Sequence, residues 1–336
     1  MEKKNVIPFI QKDIAIWSID PFEAATCPKD HAVAKIENWA RLSNLELQPT
    51  YILALPPHLA ASVDSSGENS ELSETTELAR KAGDQYVSGS DSIRPCKVLL
   101  SRTSSRKDQI AQMIEFADQQ KSSCFVVASN GRSGVQRFIL GSFAESLLAH
   151  SKQPVLFLNQ SNPDDVRERT LNHALFSTDF SDVSKFVFEY FLLQAQRSAF
   201  EITLFHAVSL PMLAYAGGDV GPNMVPTDFF STQMKWASDK GAEWVELAKS
   251  AGVNVKFMLK YEGIAPEMAK VVLAAADEVK AGFIVMASKK TTATSFALGG
   301  FSREVFRSRS YPVWMYGPEA IRAIEAKTPH FAEGKG

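Results

Sequence analysis

An internal repeat constrains this chain more than any other feature of its sequence. The segment from Phe125-Val-Val-Ala-Ser-Asn130 through Gly141-Ser-Phe-Ala144 to Pro154-Val-Leu-Phe-Leu158 returns as Ile284-Val-Met-Ala-Ser-Lys289, Gly299-Gly-Phe-Ser302 and Pro312-Val-Trp-Met-Tyr316. The alanines stand 159 residues apart (287 − 128) and the glycines and prolines 158 (299 − 141, 312 − 154), so the second copy has lost one loop residue. Upstream, two apolar runs end in aspartate, Ile14 to Asp20 and Ala174 to Asp179, again at a separation of 159 (179 − 20). A period of this length repeats whole domains rather than the short units of a solenoid. At roughly 150 residues per domain, the 336 residues divide into two. The sequence places these domains at 1–162 and 163–336, with the polar stretch Asn159 to Arg169 as the linker.

Within the second copy, short apolar runs alternate with helical periodicity. Ala174–Phe176, Glu201–Val208, Val253–Leu259, Phe283–Ala287 and Pro312–Tyr316 read as strands, and Val183–Gln196 and Thr232–Ala251 as helices. Ile264, Met268, Val271, Val272, Ala275 and Val279 line one helical face. The first copy follows with strands at Ile14–Ile19, Tyr51–Leu55, Lys97–Leu100, Phe125–Ala128 and Val155–Leu158. Parallel strands need crossover connections and are buried on both faces, which is what such apolar runs require. The expected fold class is therefore α/β: two tandem doubly wound, Rossmann-like domains, each a five-stranded, mostly parallel sheet between helices. The stretches Pro56–Leu72 and Ser209–Asp228 read as long insertions at the carboxyl ends of strands.

Composition removes several function classes. Apolar residues make up 45% and charged residues 22%, the proportions of a folded globular chain. Lys plus Arg is 36 against Asp plus Glu 38, so no overall basic field exists to hold nucleic acid. No apolar stretch reaches the length of a membrane span, and the amino terminus lacks a signal-peptide core. Cys27, Cys96 and Cys124 form no Cys-x-x-Cys pair, which fits a reducing, cytoplasmic setting. The six histidines lack metal-ligand spacing, and no metal site is expected; His206 on its strand reads as a structural histidine. No phosphate-loop lysine motif, Gly-x-Ser-x-Gly elbow or His-Glu-x-x-His helix occurs.

One segment carries possible chemistry. Between a strand and a helix lies Ala128-Ser-Asn-Gly131-Arg132-Ser133-Gly134 through Gly141-Ser142. Glycines in that position let backbone N–H groups approach an anion at a helix amino terminus, and Arg132 and Arg137 could add charge. The same Ser142 with Glu145 also reads as a capping box that needs no ligand.

Strand, then Gly-x2-Gly-x9-Gly-Ser/Thr, then a helix before Pro-Val-Leu-x-Leu resembles the universal stress protein family. Here the pattern reads Ala128-x2-Gly131-x9-Gly141-Ser142, with Pro154-Val-Leu-Phe-Leu158 behind it. Ser177-Thr-Asp179-Phe-Ser and Leu204-Phe-His-Ala-Val208 resemble the ends of that family's first and second strands. The resemblance covers nearly the whole chain in two copies. It implies an ATP site in the first domain built from Asp20, Leu55, Ala128, Gly131, Arg132, Ser133, Gly141 and Ser142, with alanine at 128 departing from the family's glycine. In the second domain Asp179 and Ala207 match, but Ala287, Lys290 and Gly300 stand where the pattern has Gly, Gly and Ser/Thr, so no nucleotide is expected there.

The leading expectation is a cytoplasmic stress-response regulator, not a catalyst, with an adenine-nucleotide site in the first domain. A nucleotide-independent interaction module and, behind it, a slow ATPase or self-phosphorylating protein stay open beside it. Val155–Leu158 and Val313–Tyr316 are expected to pair within one chain, giving a pseudo-symmetric monomer able to dimerise further.

Overall fold

The computed structural model describes residues 13–22, 29–62, 70–87, 93–129, 142–159, 170–198, 200–210, 228–264, 267–288, 300–308 and 310–327. The first copy runs β1 (Asp13–Ser18), α1 (Lys29–Leu42), β2 (Leu45–Ala54), α2 (Pro57–Ser62), α3 (Ser70–Tyr86), β3 (Lys97–Ser101), α4 (Arg106–Gln119), β4 (Cys124–Ser129), α5 (Ser142–His150) and β5 (Val155–Asn159). The second runs β6 (Thr170–Ser177), α6 (Asp182–Ser198), β7 (Glu201–Leu210), α7 (Phe229–Ser250), β8 (Val255–Ile264), α8 (Met268–Glu278), β9 (Ala281–Ala287), α9 (Gly300–Ser308), β10 (Val313–Tyr316) and α10 (Pro318–Lys327). Part of the first insertion is thus helical, as α2, and α10 extends the chain beyond the last expected strand. The expected domain boundary between 162 and 163 lies outside the described residues.

All ten strands join one sheet in the order β3-β2-β1-β4-β5-β10-β9-β6-β7-β8. Every neighbouring pair is parallel except β5 and β10, which run antiparallel with Val313 opposite Phe157, Trp314 opposite Leu156 and Met315 opposite Val155. The expected intrachain pairing is present, and it fuses two five-stranded parallel sheets into one. Within each copy the first strand, β1 or β6, lies between its second and fourth strands, so crossovers leave it in both directions. That reversal opens a crevice at the carboxyl ends of the strands.

The pleat sends alternate side chains into two separate cores. Ala15 and Trp17 of β1 and Trp314 and Tyr316 of β10 face the side covered by α1, α3, α6, α7 and α10. Ile16, Val313 and Met315 face the side covered by α4, α5, α8 and α9. Each core continues across the joint between the copies. Trp314 bridges the two copies: it lies 5.3 Å from Trp39 of α1 and 5.8 Å from Phe191 of α6, both edge-on. Ser198 Oγ donates to the Ser43 carbonyl at 2.9 Å, and Arg197 pairs with Asp13 at 2.9 Å, so α6 also ties to the first copy through polar groups.

The repeat extends to backbone detail. Lys121 and Lys280, 159 residues apart (280 − 121), both take left-handed conformations, φ 51° and 53°, just beyond the ends of α4 and α8. A residue in this conformation closes a helix by satisfying its last carbonyls, a place more often held by glycine.

After β10 the chain passes Gly317 and enters α10, which packs on α5 of the first copy and α6 of the second. A Cβ on Gly317 would lie 1.9 Å from the Leu148 carbonyl oxygen of α5. Backbone contact at that distance cannot be relieved by a side-chain rotation. Gly317→Ala is therefore expected to destabilise the chain by about 1–3 kcal/mol, read as a lower midpoint in chemical denaturation; an unchanged midpoint would show that α5 and α10 are not pressed together.

Candidate functional site

β1 ends at Ser18, and its carboxyl end lies beside those of β2 and β4. Ser18 is level with Thr50 on one side and Val127 on the other, which brings Asp20, Ile52 and Ala128 to the crevice of the first copy. Asp20 Oδ1 accepts the Phe22 N–H at 3.0 Å, an Asx-type turn that directs the chain off the strand. Tyr51 stands next to it. Burial first and the Asp20 carboxylate second push the Tyr51 phenol above its ordinary pKa, so it remains a neutral donor at physiological pH. The exposed Phe22 ring meets Tyr51 edge-on at 5.7 Å, which gives this end an aromatic edge around a carboxylate.

The starts of α4 and α5 are polar and cationic. Ser142 is the first residue of α5 and is exposed, and its Oγ accepts a hydrogen bond from the guanidinium of Arg106, the first residue of α4. Ser105 precedes α4 as its cap, its Oγ accepting the Asp108 N–H, and Asp108 itself accepts from Thr103 Oγ1 at 2.8 Å.

The sequence-derived residues fall as follows. Asp20 and Ala128 lie at neighbouring strand ends, and Ser142 opens the helix that follows β4. Ala128 is not among the residues with positive φ, so its methyl group carries no left-handed strain, and it packs against the apolar core. Leu55 lies one residue past β2, buried, with its N–H donated to the Ser101 carbonyl at 2.8 Å. The register sets Ile52, three residues earlier, level with Asp20, as it sets Ala207 level with Asp179 in the second copy. Gly131, Arg132, Ser133 and Gly141 lie outside the described residues, as do Lys290 and Gly299 in the second copy. Tyr51, Phe22 and Arg106 were missed by the sequence reading: Tyr51 reads as an ordinary strand residue, and nothing local ties Arg106 to a serine 36 residues away.

At the end of β6 in the second copy, Asp179 and Phe180 are engaged by neighbouring groups of the protein. Asp179 Oδ1 accepts from Ser181 N at 3.0 Å, Ser181 Oγ at 2.6 Å and Ser184 Oγ at 2.7 Å, so this carboxylate caps α6. Phe180 adopts a left-handed φ of 56°, costly for a bulky residue. Its ring is held by His206 at 4.7 Å, Trp244 at 5.1 Å, Trp236 at 5.8 Å and Phe257 at 6.0 Å. His206 Nδ1 donates to the Thr178 carbonyl at 2.8 Å, and burial pushes its pKa below the ordinary value. His173 is likewise lowered by burial and lies 2.8 Å from Thr203 Oγ1. These histidines have structural partners. Among the described residues no group of His, Cys, Asp and Glu could hold a metal ion, and no helix is long and apolar enough to cross a membrane.

The Universal stress protein family model matches this chain twice, over residues 26–159 and 170–317. Among solved structures, a universal stress protein from Archaeoglobus fulgidus DSM 4304 is similar at a TM-score of 0.57 and 17% identity, covering 91% of this chain and 99% of that one. A functionally unknown protein from Pseudomonas aeruginosa PAO1 is similar at a TM-score of 0.54 and 14% identity, covering 94% and 97%. At such identities the likeness concerns the fold. No curated protein matches the chain.

Two outcomes follow from this geometry. Asp179→Ala leaves the Ser181 and Ser184 donors without their shared acceptor and is expected to lower stability by about 1 kcal/mol, measured by urea unfolding; no change would mean that the cap contributes nothing. An imidazole whose folded pKa lies below its unfolded value of about 6.5 takes up protons on unfolding. Its contribution is whole above that value and is lost as pH falls through it toward the folded pKa. The unfolding midpoint should therefore drop between about pH 7.5 and 5.5, and His206→Gln should flatten that drop; identical slopes would assign the pH dependence elsewhere.

Proposed function

Because the chain belongs to the universal stress protein family, we propose that it is a stress-response regulator that holds an adenine nucleotide, ATP, at the strand ends of its first copy. The observation that carries this reading is the polarity of the β1/β4 crevice. A carboxylate and an aromatic edge, Asp20 with Tyr51 and Phe22, stand at the end of β1, and a hydroxyl with a guanidinium, Ser142 with Arg106, stand at the start of the helix that follows β4. These residues fit a nucleoside polyphosphate. Asp20 and the end of β2 would accept hydrogen bonds from the nucleoside, while Ser142, the start of α5 and the glycine loop ahead of it would donate to phosphate oxygens. What the nucleotide supplies is charge and a bound state that a partner can read.

A regulator accounts for the side chains better than a catalyst does. Burial pushes the Cys96 and Cys124 thiols up to about 12, so neither is a nucleophile at neutral pH, and both are unpaired, in keeping with a reducing cytoplasm. The second copy contributes a sheet and a core; the carboxylate that matches Asp20 is engaged with α6.

The test is to purify the chain without added nucleotide, denature it and identify the released small molecules by mass spectrometry. Release of ATP at one per chain, or a rise in melting temperature on adding millimolar ATP, is the expected result. Neither release nor a thermal shift would overturn the nucleotide reading and leave an interaction module that needs no nucleotide.

A further inference from the structure

We propose that Arg106 is the residue by which the first copy distinguishes a phosphorylated nucleotide from a nucleoside. The proposal rests on the nucleotide reading above and names a group that the glycine motif does not contain.

Arg106 opens α4, and its guanidinium reaches across to the hydroxyl of Ser142 at the start of α5. Among the described residues it forms no ion pair: Asp108, the acidic residue of its own first turn, accepts from Thr103 instead. An arginine at this place is electrostatically unusual, because the amino-terminal end of a helix carries a partial positive charge that disfavours a cation. Two such ends, of α4 and α5, meet here around a guanidinium whose hydrogen-bond partner is a neutral hydroxyl. An anion placed between them would offset all three, and a guanidinium binds phosphate oxygens in a planar, two-donor geometry that a hydroxyl cannot match.

A second observation comes from the other copy. The separation of 159 residues that carries Asp20 onto Asp179 also carries the buried Ile110, Met113, Phe116 and Ala117 of α4 onto the buried Ala269, Val272, Ala275 and Ala276 of α8. The same separation carries Arg106 onto Ala265, and the loop shortened by one residue carries Ser142 onto Gly300. Both members of the pair are therefore missing from the copy whose glycine motif is also degraded. The helix pair itself is kept in that copy, where α8 packs on α9 as α4 does on α5, although α8 opens at Met268, three residues beyond the position that matches Arg106. A guanidinium that serves an anion is dispensable where no anion binds.

The experiment measures binding of ATP, AMP and adenosine to the full chain by calorimetry, for the wild type, Arg106→Ala and Arg106→Lys. Arg106→Ala is expected to weaken ATP about ten- to hundredfold, the range of one charge-assisted hydrogen-bond pair, and to leave adenosine unchanged. Arg106→Lys should recover part of the loss, since charge returns without the planar fork. Arg106 is exposed, and unchanged thermal unfolding of the nucleotide-free variants is the control for folding. If the wild type binds ATP and Arg106→Ala binds it equally, or if ATP and adenosine weaken together, the role assigned to Arg106 is wrong while the nucleotide site stands. If the wild type binds neither ATP nor adenosine, the nucleotide reading itself is overturned and this proposal falls with it.

Discussion

Three backbone positions on each of two short strands, Val155 to Phe157 and Val313 to Met315, hold the two copies in one sheet. A five-stranded parallel sheet standing alone would leave its last strand as an unpaired edge, and such an edge is open to association with any other strand. Antiparallel pairing of β5 with β10 removes both edges at once. It also sets the pleat of one copy in phase with the other, so that Trp314 enters the same core as Trp17 and Trp39, while Val313 and Met315 enter the opposite one. Both cores, the α6 contacts to the first copy and the seat of α10 on α5 depend on that phase. A slip of one residue would exchange every side chain between the two cores.

The same joint leaves the chain symmetric in fold and unequal in chemistry. Both copies retain the strand-end aspartate and the turn it directs, since Asp20 and Asp179 each accept a backbone N–H two residues on at 3.0 Å. From that shared start they diverge. Asp179 also collects two serine hydroxyls and caps a helix, and Phe180 closes the strand ends with an aromatic cluster around Trp244 and His206. Asp20 sits beside Tyr51 at the end of β1.

How much could be read in advance differs by element. The strands were legible because a parallel strand buried on both faces must be an apolar run, and Phe283 to Ala287 or Val313 to Tyr316 can be little else. Helix α8 was legible from its one-sided spacing. The helix α10 was not, since its ten residues carry only Ala320, Ile321 and Ile324 toward the core and begin with Pro318 directly after Gly317. Asp20 and Ser142 were legible only as a strand end and a helix start; their assignment to a site came from the family resemblance. Leu55 lies one residue past β2, and the β1/β2 pairing itself ends at Ser18 opposite Thr50.

The sequence alone determined that two copies of one α/β unit follow each other, where their strands run, and which copy keeps the more nearly intact glycine motif. Those properties are carried by local composition and spacing, which any copy of the unit needs in order to bury its sheet. Register, the continuity of the two cores and the meeting of Arg106 with Ser142 were decided only in the tertiary structure. Each depends on groups far apart in the chain that are brought together by strand pairing and by the packing of α4 on α5, and no local pattern records which partner a side chain will find.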